Sequence, residues 1–157
     1  MNDLHFGSEA VDYDLLQRVF SFIDSNRENT RILINGDLIE GVTKNSKGDV
    51  YEQRMTPEEQ VEYAVERFEP YKDLIDGVTI GNHDYRIADE TSIDIVKWFC
   101  RDLGILDKYL KYEGVVGYSW NKMFYAIEMY HGTGGGATLA SVERNMTKFR
   151  KTTADIF

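Results

Sequence analysis

A chain of 157 residues has ordinary single-domain length and is long enough to bury a hydrophobic core. Hydrophobic residues make up 42% and aromatic residues 13% of it, which excludes a wholly disordered protein. The formal net charge of −9 excludes a protein that coats nucleic acid through a basic face, but bound cations would still allow a nucleic-acid substrate. We predict one domain spanning residues 1–157.

The single cysteine, Cys100, excludes an internal disulfide, and its apolar neighbours predict a buried small hydrophobic residue. The sequence contains no stretch typical of a signal peptide and no apolar run of membrane length. These features predict a soluble, cytoplasmic protein that does not contact a membrane, and they indicate no obligate protein partner.

The first elements predicted are a helix and a strand. Apolar residues at helical spacing predict a helix that starts at Ser8 or Val11 and ends near Ser25. The apolar face of this helix is expected to contain Leu15, Leu16, Val19, Phe20, Phe22 and Ile23. The short apolar run 31–35 predicts a strand that is buried on both faces.

A long connection precedes the second helix. Residues 41–55 are polar and irregular, and a connection of this length is often functional, so we expect it to influence substrate choice. Thr56 then predicts a helix N-cap, with Pro57 at the first helical position and Glu59 closing a capping box. Pro70 is expected to end or kink this helix.

Further along the chain, residues 78–81 predict a short buried strand that leads into a polar turn. Thr91 or Ser92 is expected to cap a helix that extends to about Leu103, and Gly104 is a suitable C-terminal stop.

The last third of the chain has the pattern of strands. Runs 115–120 and 123–129, joined by a turn at Asn121 and Lys122, predict an antiparallel hairpin. A final helix is expected over about 138–151, and residues 154–157 resemble the start of another strand. Early alternation of helix and strand followed by a hairpin predicts an α/β protein with mixed β-sheets flanked by helices.

Polar residues of metal-ligand type follow several of the predicted strands. The three histidines of the chain all lie at these places. The residues concerned are Asp3, His5, Asp37, Asn82, His83, Asp84 and His131. Because open α/β sheets place their sites at the carboxyl ends of strands, we expect these side chains to converge.

Each of these residues also has an ordinary explanation. Asp3 and His5 lie two apart on an extended segment and so point to one side, but an N-cap aspartate beside a surface histidine has the same pattern. Asp37 after a glycine is typical of a turn, and His131 is typical of a loop. Taken together, the set favours a metal site over coincidence.

The order of these motifs resembles that of the calcineurin-like metallophosphoesterase superfamily. The motifs are Asp3-x-His5, Gly36-Asp37, Gly81-Asn82-His83-Asp84 and His131-Gly132, and they span most of the chain. The resemblance implies an α/β/β/α sandwich and hydrolysis of phosphomonoesters or phosphodiesters by a metal-bridging hydroxide. It also implies two divalent cations, and the mixed oxygen and imidazole donors suit Mn, Fe, Zn or Ni.

The resemblance also implies a role for each residue. Asp3 and His5 would bind the first metal ion and Asp37 would bridge both ions. Asn82 and His131 would bind the second ion. His83 would be the catalytic histidine near the leaving group, and Asp84 would orient its ring.

The chain departs from the family pattern at its end. The family has a further Gly-His-x-His motif that completes both metal sites, and no histidine follows His131 here. We therefore expect a chain truncated at both ends, with that motif beyond Phe157. Such a partial domain would bind metal weakly and turn over poorly even if the full-length protein is an enzyme.

Some of these residues and their neighbours also allow other functional interpretations. The glycine-rich run after His131 is similar to a lipase oxyanion loop, but the chain lacks the Gly-x-Ser-x-Gly elbow that this chemistry needs. Gly132-x-Gly134-x-x-Ala137 formally fits a dinucleotide fingerprint, yet too little chain follows it for such a domain. Arg86 is a candidate for binding substrate phosphate or for a structural ion pair.

Two functions stay open at this stage. One is a phosphoesterase that acts on a nucleotide, a small phosphoester or a short nucleic acid, since the acidic charge disfavours long duplex DNA. The other is a catalytically inactive binding or scaffold module of the same fold.

Overall fold

The computed structural model describes residues 1–46, 53–132, 138–141, 143–144 and 154–156. Over these ranges the protein is a mixed α/β structure. The helices are α1 (Tyr13–Ser25), α2 (Pro57–Phe68), α3 (Asn82–Thr91) and α4 (Ile95–Asp102). The strands are β1 (Ile32–Asn35), β2 (Ile75–Thr79), β3 (Tyr109–Lys111), β4 (Glu113–Trp120) and β5 (Met123–Tyr130).

The strands form two sheets. β1, β2 and β3 make a parallel sheet with β2 in the centre, and β4 and β5 make the predicted antiparallel hairpin. Its turn residues Asn121 and Lys122 both have positive φ, as a type I′ turn requires. The general α/β class is confirmed, but the two kinds of strand lie in separate sheets rather than in one mixed sheet. Lys111 has φ of 65°, so the chain turns between β3 and β4.

The first six residues extend the edge of the parallel sheet beside β1. The backbone N–H of Asn35 donates to the carbonyl of Met1 at 2.8 Å. Further on, the N–H of Phe6 donates to Leu38 at 3.1 Å and the N–H of Glu40 donates to Phe6 at 3.0 Å. This pairing fixes the N-terminal segment next to the loop that follows β1.

A core of aromatic and aliphatic side chains joins the helices to the parallel sheet. Phe68 of α2 packs edge-to-face with Phe20 of α1 and Phe99 of α4, at ring-centroid distances of 5.5 and 5.9 Å. Cys100 is fully buried, as predicted, and burial raises the pKa of its thiol to about 12. The hairpin packs against the same sheet at Gly77, where a Cβ would lie 2.8 Å from the Met129 sulfur.

The predicted start of α2 is confirmed in detail. Thr56 is the N-cap, Pro57 is the first helical residue, and Glu59 Oε2 accepts the N–H of Thr56 at 2.7 Å. The helix ends at Phe68, and Pro70 lies in the short 3-10 helix Glu69–Leu74 that follows.

Several local expectations needed correction. The strand predicted over residues 78–81 is β2 at Ile75–Thr79, so it begins three residues earlier and ends before Gly81. Helix α1 begins at Tyr13, because Asp12 is its N-cap, and its residues Leu15 and Phe22 are exposed rather than on the buried face. Ser92 has φ of 60° and ends α3 instead of starting the next helix. The N-cap of α4 is Asp94, whose carboxylate accepts the N–H of Lys97 at 2.9 Å.

Most of the predicted helix 138–151 lies outside the described residues. Of the predicted strand start at 154–157, residue Ile156 forms a parallel bridge with Ile127 of β5. Among the helices in the described ranges, none combines the length and the apolar character that a membrane crossing requires.

Candidate metal centre

The residues predicted to bind metal come from four segments that meet at one edge of the parallel sheet. This is the edge formed by the carboxyl ends of its strands. Asp37 follows β1, Asn82 follows β2, and His131 follows β5. The N-terminal segment brings Asp3 and His5 to the same edge by pairing beside residues 36–38. The hydrogen bond of 2.7 Å from His131 Nδ1 to the Asn35 carbonyl ties the end of the hairpin to the end of β1.

Two glycines allow these segments to approach one another. A Cβ at Gly36 would lie 2.5 Å from the His131 ring. A Cβ at Gly81 would lie 2.1 Å from both the backbone nitrogen and Oδ1 of Asp37. Both positions therefore require glycine for the site to keep this geometry.

Asp3, His5 and Asp37 form one group of possible ligands. His5 Nε2 lies 3.8 Å from Asp3 Oδ1 and 3.6 Å from Asp37 Oδ2. These distances are longer than direct hydrogen bonds, and they leave room for an ion coordinated by all three side chains. This is the set predicted for the first metal ion, but the ligand atoms that lie within 4.8 Å of one another group Asp3 and Asp37 with His131, and His5 with Glu40 and His83.

Asp37, Asn82 and His131 form a second group. His131 Nε2 lies 3.2 Å from Asp37 Oδ2 and 3.2 Å from Asn82 Oδ1. Because a carbonyl only accepts, the contact to Asn35 places a proton on His131 Nδ1 and leaves Nε2 without one in the neutral ring. Three acceptor atoms then face one another, so they need a proton or a metal cation between them.

Glu40 was missed in the sequence, although it contacts two histidines of the site. Its Oε2 lies 3.1 Å from His5 Nδ1, and its Oε1 lies 3.7 Å from His83 Nδ1. The backbone carbonyl of Glu40 also accepts a hydrogen bond of 2.8 Å from His83 Nδ1. A usable signal existed in the sequence, because Glu40 is the one charged residue within the apolar run Leu38-Ile39-Glu40-Gly41-Val42.

One nitrogen of the site is poorly satisfied. Among the described residues, His5 Nδ1 is a buried side-chain atom without a hydrogen-bond partner, since its contact with Glu40 lacks hydrogen-bond geometry. The ring of His5 also packs edge-to-face against His83, with centroids 4.5 Å apart. This nitrogen faces the Glu40 carboxylate, an arrangement suited to bind a cation, whereas the opposite nitrogen, Nε2, faces Asp3 and Asp37.

Asp84 and Arg86 occupy different positions from the other predicted residues. The Asp84 carboxylate is buried and accepts the backbone N–H groups of Gly81 at 2.9 Å and Leu38 at 3.0 Å. It joins the start of α3 to the loop after Asp37, while the His83 ring contacts Glu40 and His5. Burial raises the pKa of Asp84 to about 6, and these backbone hydrogen bonds act in the opposite direction.

Arg86, the candidate for binding substrate phosphate, donates a hydrogen bond to Ser46 Oγ at 3.0 Å.

Three of the candidate ligands have unusual backbone conformations. Asp3, His5 and Asp37 have φ of 52°, 45° and 49°, in the left-handed region, so Asp3 and His5 do not lie on the regular extended segment that was predicted. A non-glycine residue there costs roughly 1–3 kcal/mol and persists only where the surrounding structure imposes it. Such residues concentrate at functional sites, which agrees with a binding role for this edge of the sheet.

The two most closely paired residues influence each other's protonation. The hydrogen bond to Asp37 raises the pKa of His131 from 6.5 to about 9, and desolvation only partly opposes it. Burial pushes the pKa of Asp37 upward, but hydrogen bonds from His131 and from the His83 N–H outweigh it, and the pKa is lowered. Without metal, the two residues therefore form an ion pair at neutral pH.

This ion pair predicts how the stability of the metal-free protein depends on pH. The folded-state pKa of His131 lies above its unfolded value of 6.5, so the stabilisation is complete below about pH 6.5 and is lost as the pH rises through about 9. We expect a loss of about 1–2 kcal/mol, less than the full shift implies, because the site opens to solvent. Urea unfolding in a chelator at several pH values measures it. If the free energy of unfolding of a His131→Gln variant falls with rising pH as steeply as that of the wild type, the ion pair does not cause the pH dependence.

Comparisons of this chain with protein-family models, with curated proteins and with solved structures gave no match. They therefore assign no family and no activity to it. The geometry of the candidate metal centre and the chemistry of its donor atoms are the basis for a functional proposal.

Proposed function

We propose that this protein is a metal-dependent phosphoesterase that hydrolyses phosphomonoesters or phosphodiesters at the edge of its parallel sheet. The observation that supports this most is the convergence of five predicted ligands from four chain segments. Asp37 belongs to both groups of ligands, since its Oδ2 lies 3.6 Å from His5 and 3.2 Å from His131. The α/β/β/α sandwich of calcineurin-like metallophosphoesterases is part of the same proposal.

The donor atoms fit two divalent cations. Asp3, His5 and Asp37 would hold one ion, and Asp37, Asn82 and His131 would hold the other. Carboxylate, amide and imidazole donors together suit Mn, Fe, Zn or Ni. Bound there, two cations would offset the negative charge of a phosphate ester and make water a better nucleophile.

His83 supplies the proton that the reaction needs. Hydrolysis adds a water oxygen to phosphorus and breaks the bond to the leaving oxygen, which must gain a proton. The Glu40 backbone carbonyl accepts the proton of His83 Nδ1 at 2.8 Å, so a second proton sits on Nε2 only in the doubly protonated ring, and this is the proton given to the leaving oxygen. The proton lost by the attacking water goes to solvent, and His83 is reprotonated from solvent. Glu40 thus acts as a positioning residue for His83.

One observation favours the second candidate, a metal-binding module without catalysis. Ligand-type atoms of His5, Glu40 and His83 also lie within 4.8 Å of one another. An ion bound by these three residues would occupy His83 and remove it as a proton donor. The two candidates therefore differ in whether His83 binds metal.

Hydrolysis of a chromogenic phosphodiester with Mn, Fe, Zn or Ni tests the proposed function. We expect turnover by the wild type and at least a 100-fold lower rate in Asp37→Asn, which weakens both ligand groups. Asp14→Asn removes the same charge from an exposed position on α1 and is the matched control. Metal binding without hydrolysis by any of these ions favours the module, and failure to bind metal rejects both candidates.

A further inference from the structure

A cavity lined by tyrosines lies next to the candidate metal centre. Its volume is about 340 Å³, and Asn82 and His131 form part of its wall. Tyr85, Tyr112 and Tyr130 line the remainder together with backbone near Gly81 and Gly132. We call this cavity, lined by Tyr85, Tyr112 and Tyr130, the tyrosine pocket.

The position of the tyrosine pocket follows from the elements that carry the site. Tyr85 lies on α3 one turn after Asn82, and Tyr130 directly precedes His131. Tyr112 lies between β3 and β4, where the chain turns. Two of the three tyrosines therefore lie on the segments that carry the proposed ligands Asn82 and His131.

The rings of Tyr85 and Tyr112 are exposed although they are large. Each is 44% exposed, and they stand edge-to-face with centroids 5.9 Å apart. Lys111 Nζ lies 5.1 Å from the Tyr112 ring centroid, a cation–π contact that helps to hold this ring. Exposed aromatic side chains gathered in a concavity are typical of a ligand site rather than of an ordinary surface.

We propose that the tyrosine pocket binds a flat aromatic group carried by the phosphoester substrate, such as a nucleobase or a simple aryl group. That the substrate is a phosphoester rests on the proposed function. Binding of an aromatic group in the pocket can be measured without catalysis. Tyrosine rings bind flat aromatic groups by stacking and by edge-to-face contact. Ligand pockets span about 300–1,000 Å³, so this one suits a single mononucleotide-sized group rather than a long strand.

The test uses the metal-free protein in a chelator, so that no ligand is hydrolysed. Ligand-observed NMR compares the affinities of AMP, phenyl phosphate and ribose 5-phosphate, which share a phosphate but differ in the aromatic group. We expect AMP, phenyl phosphate or both to bind about tenfold more tightly than ribose 5-phosphate. The tighter of the two shows whether the aromatic group is a nucleobase or a simple aryl group. Equal affinity for all three ligands overturns the proposal.

Variants of single tyrosines test whether the aromatic ligand binds in the tyrosine pocket. Tyr112→Ala is expected to lose the tenfold preference, Tyr112→Phe to keep it, and the control Tyr125→Ala, on the hairpin outside the pocket wall, to keep it. Circular dichroism melts check that each variant folds. If Tyr112→Ala melts like the wild type and retains the preference, the pocket is not the binding site.

The result separates this inference from the proposed function. Preference for an aromatic ligand without any metal-dependent hydrolysis supports the tyrosine pocket and removes the phosphoesterase. Hydrolysis of phosphoesters with no aromatic preference in binding supports the phosphoesterase and removes the tyrosine pocket.

Discussion

Replacing His83 by alanine is expected to slow hydrolysis of a phosphodiester by about 100- to 10,000-fold at saturating Mn²⁺. The variant lacks the imidazole whose Nδ1 is held by the Glu40 carbonyl and whose other nitrogen is free for proton transfer. Because the proposed ligands all remain, the number of bound metal ions should not change. Turnover at saturating substrate and the metal content of the same samples measure both quantities.

The choice of substrate makes this prediction sharper. A nitrophenolate leaving group needs little protonation, whereas an alkoxide leaving group needs a proton as the bond breaks. The His83→Ala variant should therefore lose more rate with an alkyl ester than with a nitrophenyl ester. An equal loss with both esters would speak against proton donation by His83.

Glu40→Gln is the companion variant for the same question. Removing the carboxylate leaves the carbonyl contact to His83 but takes away the charge near His5 and His83. We expect a rate loss of about 10- to 100-fold together with a shifted pH–rate profile, as for residues that position catalytic or ligating groups. If His83→Ala or Glu40→Gln binds one metal ion fewer than the wild type, the cluster of His5, Glu40 and His83 is itself a metal site.

Gly81→Ala is expected to disrupt the candidate metal centre even though it adds only a methyl group. The new Cβ would lie 2.1 Å from the backbone nitrogen and Oδ1 of Asp37, so Asp37 would have to move. The Asp37 carboxylate would then lose its contacts to the His83 N–H at 2.8 Å and to His131 at 3.2 Å. We expect a free energy of unfolding about 2–3 kcal/mol lower and at least tenfold weaker Mn²⁺ binding.

The control for this variant is Gly104→Ala, at the end of α4. Gly104 has φ of 72°, but nothing lies within 4 Å of a Cβ there. Its replacement should cost only about 1 kcal/mol of backbone strain and leave Mn²⁺ binding unchanged. Urea unfolding and isothermal titration with Mn²⁺ compare the two variants. Mn²⁺ affinity of Gly81→Ala equal to that of the wild type would contradict the proposed crowding.

Local signals in the sequence predicted those features that depend on neighbouring residues. The capping box of Thr56 and Glu59 was predictable because both partners lie within one helical turn. The hairpin turn at Asn121 and Lys122 was predictable because its length and its residues determine the turn type. Polar residues after buried strands indicated the candidate ligands, since strand ends meet at one edge of a sheet.

Helix α3 shows where such local signals fail. Asn82, His83 and Asp84 have weak helix propensity and indicated a turn, yet they form the first turn of α3. The reason is that the Asp84 carboxylate accepts the Gly81 N–H within the helix start and the Leu38 N–H from another loop. Contacts from a distant part of the chain outweighed the local preference.

The residue types at the strand ends, and with them the candidate ligands Asp3, His5, Asp37, Asn82 and His131, could be identified from the amino-acid sequence. Only the folded chain showed that Glu40 contacts His5 and His83, that the Asp84 carboxylate accepts backbone N–H groups, and that three tyrosines line one cavity. Strand ends are set by short apolar runs, whereas side-chain contacts depend on loops whose paths follow from packing against distant segments.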